Sequence, residues 1–327
     1  MSQKRATIIF NPMSGRPGRR AENVQLMIRL LSERGVTAEA HPTSGPDDAT
    51  RLARQAVEIG SDVIVGYGGD GTLNEVIQGI VGSRAALAVW PGGTSNVVAH
   101  DLQVPFKIAE LVPMIAAGKT RRISLGLARS GTEFTGLSGK SSQNSESEVF
   151  EKQKWGAFHQ FTGNQRFFVM MAGIGLDASI ARSVNKTLKR RTGEFAYWLS
   201  GMRHLFLWHA EPFCIEVDGV SYNGAFALIG NGKGYGGGMM MTPGAKLEEP
   251  WFEVYILPPL ASNFAYIRAL SACMRGKPEV KGVSIVRGKQ IRASSELEPW
   301  VEADGELLGP LPMTFEIVPE ALSVIVP

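Results

Sequence analysis

Cysteine is nearly missing from this chain of 327 residues, with Cys214 and Cys273 far apart. Two isolated thiols build neither a disulfide framework nor a paired-cysteine zinc knuckle. No unbroken apolar run approaches the roughly 20 residues that a membrane-spanning helix needs. The opening MSQKRATIIFNP has an apolar stretch too short for the core of a secretion signal. His41, His100, His159, His204 and His209 form no i,i+4 pair that would set two imidazoles on one helix face for zinc. No G-x-S-x-G marks an esterase-type nucleophile elbow. Charge of one sign is also scarce: 34 Lys and Arg against 31 Asp and Glu leave a net charge of +3. That excess is too small to argue for nucleic acid, and no finger or RNP1-type motif supports it. It suits an anionic substrate or an anionic membrane surface. What remains is the composition of a globular, cytoplasmic protein, 44 % hydrophobic and 20 % charged, long enough for two domains.

The first 125 residues alternate strand and helix signals. ATIIF (6–10), VTAEAH (36–41), DVIVGY (62–67) and AALAVW (85–90) read as strands. Helical stripes lie between them, such as Val24, Met27, Leu30 and Leu31, then Leu52, Ala53, Ala56 and Val57. Such alternation predicts an α/β domain with a mostly parallel sheet and ligands beyond the carboxyl ends of its strands. Residues of about 130–165 form a polar, aperiodic insert (SGKSSQNSESE). From FFVMM (167–171) onward come short β runs: FCIEV, AFALIG, FEVYIL, VSIV, QIRAS, PWVEA, MTFEIV and LSVIV. They predict a β-rich, sandwich-like second domain over 126–309, with residues of about 310–327 free to return to the first domain.

VGYGGDGTLNEV (65–76) raises the central question. Gly66, Gly68 and Gly71 match G-x-G-x-x-G, yet the next strand ends ALAVWPGGTSN without the acidic residue that a dinucleotide ribose requires. PMIAAGKT (113–120) has Pro113 where a Walker loop needs its first Gly, and it follows a helix. Phosphate is the better reading. Thr72 and Glu75 give the capping-box pattern T-x-x-E, so a helix with free N–H groups begins at the glycine loop. Asp70 sits badly against bare phosphate, but well if Mg²⁺ or a basic side chain lies between. NPMSGRPGRR (11–20) and PGGTSNVVAHDL (91–102) repeat the design, with Thr94 and Ser95 as candidate helix caps. Three such turns after three parallel strands would meet on one rim.

NPMSG (11–15), GGDGTLNEV (68–76) and PGGTSN (91–96) resemble the nucleotide-loop motifs of the diacylglycerol kinase catalytic family, which includes bacterial lipid, sphingosine and ceramide kinases. MAGIGLDA (171–178), NGKGYGGGMMMTPGAKL (231–247) and ADGELLG (303–309) extend the similarity. The resemblance implies an ATP-dependent, Mg²⁺-assisted kinase for a lipid hydroxyl, with ATP in the cleft between the domains. Carried over by position, Asn11, Pro12, Met13, Ser14, Gly15, Arg16, Thr43, Gly68, Gly69, Asp70, Gly71, Thr72, Leu73, Asn74, Gly93 and Thr94 would contact ATP. The D-G-E segment would supply the base, Asp304 or Glu306, with Asp70 assisting through the metal. Relatives commonly read D-D-G-L where this chain has Glu248-Glu249-Pro250-Trp251, so Glu249 stands where a metal ligand would be, with altered geometry.

Two other readings stay open: a soluble NAD kinase, and a catalytically inactive nucleotide-binding regulator. Taken locally, Asp304-Gly305 is also a plain hairpin turn, and Asp177 is a helix cap. A lipid kinase without a membrane span must dock peripherally. The segment 182–208, with Lys186, Lys189, Arg190 and Arg191 beside an aromatic stripe, suits an anionic bilayer. The sequence leaves room for a homodimer and does not reveal which lipid is phosphorylated.

Overall fold

The computed structural model describes residues 4–14, 19–131, 164–176, 178, 210–235, 239–274 and 282–327. Gly15, Arg16, most of the polar insert, Asp177 and the segment 182–208 lie outside them.

Strands β1 (Lys4–Phe10), β2 (Val36–Pro42), β3 (Val63–Gly68) and β4 (Ala86–Pro91) are parallel and ordered β2-β1-β3-β4. Every residue of β3 is buried, as expected for a parallel strand covered by helices on both faces. Those helices are α1 (Arg20–Ser32), α2 (Asp48–Glu58), α3 (Asp70–Ile80), α4 (Val97–Asp101) and α5 (Ile108–Ala117). Helix α1 buries Val24, Met27 and Leu31. Helix α2 buries only Ala49, Ala53 and Ala56, and small side chains let α3 approach closely. A Cβ on Gly79 of α3 would lie 2.6 Å from both Ala53 Cβ and the Thr50 carbonyl oxygen.

The parallel sheet continues into the second half of the chain. The long strand β18 (Met313–Ile325) pairs in parallel with β4 through Val324 and Leu87. It runs antiparallel to β5 (Thr120–Ser130), with a register shift between Val318 and Leu322. MTFEIV and LSVIV, which read as separate runs, are therefore one bulged strand. Beyond β18 come β15 (Gln290–Ser294), β8 (Phe213–Val217) and β9 (Val220–Gly224), while β6 (Gln165–Phe168) pairs with β5.

A second sheet, ordered β14-β13-β10-β7-β16-β17, faces this extension. Its strands are β7 (Met171–Ile174), β10 (Phe226–Gly230), β13 (Phe252–Leu257), β14 (Ser284–Gly288), β16 (Trp300–Ala303) and β17 (Glu306–Pro310). A small ribbon joins β11 (Gly234–Tyr235) to β12 (Met239–Met240). Between the two large sheets lies a core that includes Phe168, Ile215, Ile229, Phe252, Ile291, Val301 and Phe315. Phe168 stacks on Phe252 at 5.6 Å, and Gly126 leaves room for its ring, since a Cβ there would come within 2.1 Å. The architecture is thus an α/β layer followed by a β sandwich.

Two local expectations give way. FFVMM is not one strand: β6 ends at Phe168 in one sheet and β7 begins at Met171 in the other. Helix α6 (Asn263–Met274) interrupts the β runs. Its sequence signal is Ser262, whose Oγ accepts from the Ala265 amide at 3.4 Å, ahead of an alanine-rich stretch.

Candidate active site

Parallel strands put their carboxyl ends on one edge, and the turns after β1, β3 and β4 meet there. The Asn11 amide donates to the Tyr67 carbonyl at 3.3 Å, and the Gly92 amide to the Gly68 carbonyl at 2.8 Å. Ser14 Oγ donates to the Gly92 carbonyl at 3.2 Å. Within the first turn, Asn11 Oδ1 accepts from the Met13 amide at 2.9 Å, and Met13 stands exposed beside Pro12. The Thr43 amide, just past β2, donates to Phe10 at 2.8 Å. Gly93 presses so closely on the turn after β3 that a Cβ would lie 2.4 Å from Gly69 Cα. Asn96 fixes Gly93 from both sides, accepting from its amide at 2.8 Å and donating to its carbonyl at 2.9 Å.

Arg20 was not singled out by sequence reasoning, yet it ties this rim together. Its Nη2 donates to Gly92 at 2.6 Å and its Nη1 to Tyr67 at 3.3 Å. The guanidinium lies 4.1 Å from the Tyr67 ring centre, and that ring stacks on Trp90 at 3.7 Å. The run of basic residues at 16–20 was the available signal.

Helix α3 begins at Asp70, with Gly69 as its N-cap and no side-chain cap. The expected Thr72/Glu75 capping box is therefore not formed. Glu75 turns to the N-terminus of α2 instead, where its Oε2 accepts from the Ala49 amide at 3.2 Å. Helix α4 has Asn96, rather than Thr94 or Ser95, at its N-cap position, and Asn96 makes no side-chain cap bond. The carboxylate of Asp70 faces the start of α4 across the rim, where the backbone of Val98, Val97 and Asn96 favours its charged form. Burial pushes the pKa of Asp70 up, and that backbone opposes the shift.

The D-G-E segment is a hairpin turn and something more. Asp304 and Gly305 join β16 to β17 with φ of +48° and +82°, the left-handed pair that a two-residue type I′ turn requires. The Asp304 carboxylate points into the break between β6 and β7. Its Oδ1 accepts from the amides of Met170 (3.0 Å) and Met171 (3.1 Å). Its Oδ2 accepts from the Val169 amide (2.6 Å) and from Asn74 Nδ2 (3.0 Å). Four donors satisfy all the lone-pair directions of a carboxylate. Burial pushes the pKa of Asp304 up, against the pull of these four bonds. The division of FFVMM into two strands is what frees three successive amides for one side chain.

Asn74, one turn into α3, carries the glycine loop to this carboxylate. Its Oδ1 accepts from Gln78 Nε2 at 3.0 Å and from Arg166 Nη2 at 3.1 Å. Gln78 is itself oriented by the Phe167 backbone, accepting from its amide at 3.0 Å and donating to its carbonyl at 2.9 Å. Arg166 also pairs with Glu306 at 2.5 Å. A cleft of about 810 Å³, lined by Thr50, Arg54, Gln78, Arg166, Leu307 and Leu308, opens beside this pair.

Among the described residues, no group of three or more His, Cys, Asp or Glu is placed to hold a metal. Asp304 already accepts four hydrogen bonds. Glu249 sits on a tight turn whose amide donates to Lys246 at 3.0 Å, and its neighbour Glu248 pairs with Arg121 at 2.7 Å. As folded, these carboxylates do not fit a resident Mg²⁺ cage.

Residues 5–128 match the family described as diacylglycerol kinase catalytic domain, and residues 170–326 match the YegS C-terminal NAD kinase beta sandwich-like domain. Diacylglycerol kinases of Staphylococcus aureus strains RF122 / ET3-1 and MRSA252 are each 28 % identical over 331 residues, covering 99 % of this chain and 93 % of theirs. A crystal structure of a diacylglycerol kinase from Bacillus anthracis str. Sterne superposes with a TM-score of 0.72 at 22 % identity, covering 99 % of this chain and 97 % of that one. That likeness establishes the shared architecture. The converging glycine turns, the D-G-E hairpin and the two matched segments together show a diacylglycerol kinase catalytic domain over residues 5–128, followed by a YegS C-terminal-type sandwich domain over 170–326.

Proposed function

We propose that this protein is an ATP-dependent lipid kinase that transfers the γ-phosphoryl group of Mg·ATP to a lipid hydroxyl. The observation that carries this reading is the hydrogen bond between Asn74 and Asp304. It sets the D-G-E hairpin against the same helix whose N-terminus opens the glycine loop. Phosphoryl transfer asks for positioning and charge stabilisation more than for covalent chemistry. Asn11 to Gly15, Gly68 to Asn74, Gly93 and Thr94 would line the triphosphate, with Thr43 nearby and Arg16 as a cation for it. The uncapped amides at the start of α3 and its dipole suit phosphate oxygens. Mg²⁺ enters as part of the nucleotide, liganded by phosphates and water, as is usual for this cation.

The two acidic residues take different roles. Asp304 already accepts four hydrogen bonds and acts as the organiser of the junction. Glu306 pairs only with Arg166 among the described residues, and its side chain is 38 % exposed beside the cleft. It is the group free to take the proton of the attacking hydroxyl. A loose transition state asks for that proton late, so a salt-bridged carboxylate suffices. A lipid acceptor also requires docking on a bilayer. No described helix is long and apolar enough to cross one.

The test is to incubate purified protein with labelled ATP and either total lipid extract or NAD, then identify the product by mass. A phosphorylated lipid supports the reading. Label on NAD, or ATP binding without turnover on any lipid, overturns it.

A further inference from the structure

We propose that Arg166 is a positioning residue for the phosphoryl transfer, locking Glu306 and Asn74 into one working arrangement. The inference rests on the reading of Glu306 as the base and extends it to a side chain that no loop motif contains.

Three observations converge on Arg166. A single nitrogen, Nη2, contacts both Glu306 Oε2 at 2.5 Å and Asn74 Oδ1 at 3.1 Å. Arg166 is fixed on β6 opposite Ala128 of β5, so the guanidinium is presented by a paired strand. It is 23 % exposed and lines the cleft beside Glu306.

The donor inventory explains why the arrangement matters. The Asn74 amide can face Asp304 with its NH₂ or with its oxygen. Arg166 and Gln78 both present donors to one side of that amide. A flipped Asn74 would set its NH₂ against those two donors and its oxygen against the Asp304 carboxylate. Arg166 therefore enforces the orientation that holds the hairpin to α3. The same nitrogen draws Glu306 to a set position relative to that helix. Glu75 of α3 lies close enough to Glu306 to repel it. Arg166 is its ion-pair partner and offsets that repulsion. Without it, Glu306 would swing into the open cleft, away from the rim where the phosphates are proposed to sit.

The experiment is steady-state kinetics of the full chain with ATP and the lipid acceptor, comparing Arg166→Ala and Arg166→Lys with the parent. Misplacing a reacting group by about 1 Å costs on the order of 100-fold. Arg166→Ala is expected to lower kcat by about 10- to 100-fold, with KM for ATP and lipid within about 2-fold. Arg166→Lys is expected to recover most of kcat, because an ammonium carries three donors and can serve both partners of Nη2. Thermal unfolding monitors the fold, and Arg166→Gln replaces the Ala variant if that one unfolds. An unchanged kcat, a loss that appears in KM, or a Lys variant no better than Ala would overturn the proposal. Glu306→Gln is measured in parallel. If it is fully active, the base assignment itself fails; if it is inactive while Arg166→Ala is normal, only the role of Arg166 fails.

Discussion

Asn74 Nδ2 lies 3.0 Å from Asp304 Oδ2, although 230 positions separate the two residues in the chain. Through this bond, a loop after a parallel strand and a hairpin in a sandwich become one site. The bond also changes what the simplest substitution at Asp304 should do. Asp304→Asn keeps the shape, but it sets an NH₂ group against two of the four donors that now point at the carboxylate. Leaving buried donors unsatisfied costs about 1–3 kcal/mol each. The variant should lose roughly 2–6 kcal/mol in urea unfolding as well as its kinase activity. Unaltered stability would show that the four-donor cradle is not formed in solution.

Glu306 gives a cleaner separation of chemistry from folding. It is part-exposed and makes one ion pair, so Glu306→Gln should fold normally. Removing a general base lowers rates by about 10²- to 10⁴-fold. The expected result is a fall of that size in kcat with KM for ATP little changed, read by initial rates on the phosphorylated lipid.

Gly93 tests the meeting of the loops. A methyl group there would sit 2.4 Å from backbone Gly69 Cα, which no rotamer change can relieve. Gly93→Ala should cost about 1–3 kcal/mol, the usual range for overpacking. It should also weaken ATP binding more than it slows turnover at saturating ATP. Calorimetric titration with ATP measures the first effect, and wild-type affinity would separate Gly93 from the nucleotide rim.

Burial raises the pKa of Asp70, Glu75, Asp101 and Asp304. For each, the folded state holds its proton to higher pH than the unfolded chain does. Their contribution to stability is thus fullest below the ordinary carboxylate range and is lost as pH rises through the raised values. Each unit of displacement corresponds to about 1.4 kcal/mol. Relative to Asp70→Asn, the parent protein should gain stability as pH falls from neutral towards the ordinary carboxylate range. Urea midpoints across that interval check the sign. A difference that grows with rising pH instead would mean that the backbone at 96–98 outweighs burial.

The alternation of strands and helices was legible because parallel strands buried on both faces read as apolar runs, as in VIVGYG. The β character of the second half was legible from its short runs and turns. The cradle of Asp304 was not, since hydropathy cannot show where a run such as FFVMM changes sheet, and backbone amides leave no mark in sequence. Gln78 and Arg166 were invisible for another reason: their partners are 89 and 92 positions away. Thr72 and Glu75 show a local pattern overruled by tertiary contact, because the open end of α2 offered Glu75 an amide. Local preference is a weak prior beside such contacts.

Strand β18 has a consequence for biosynthesis. It covers the edge of β4 and pairs along most of β5, yet it follows every other strand in the chain. During translation the α/β layer must therefore persist with one side of β4 open until the ribosome has delivered the whole sandwich. An open strand edge invites pairing with other chains. The early half of this protein should be the part that chaperones guard longest.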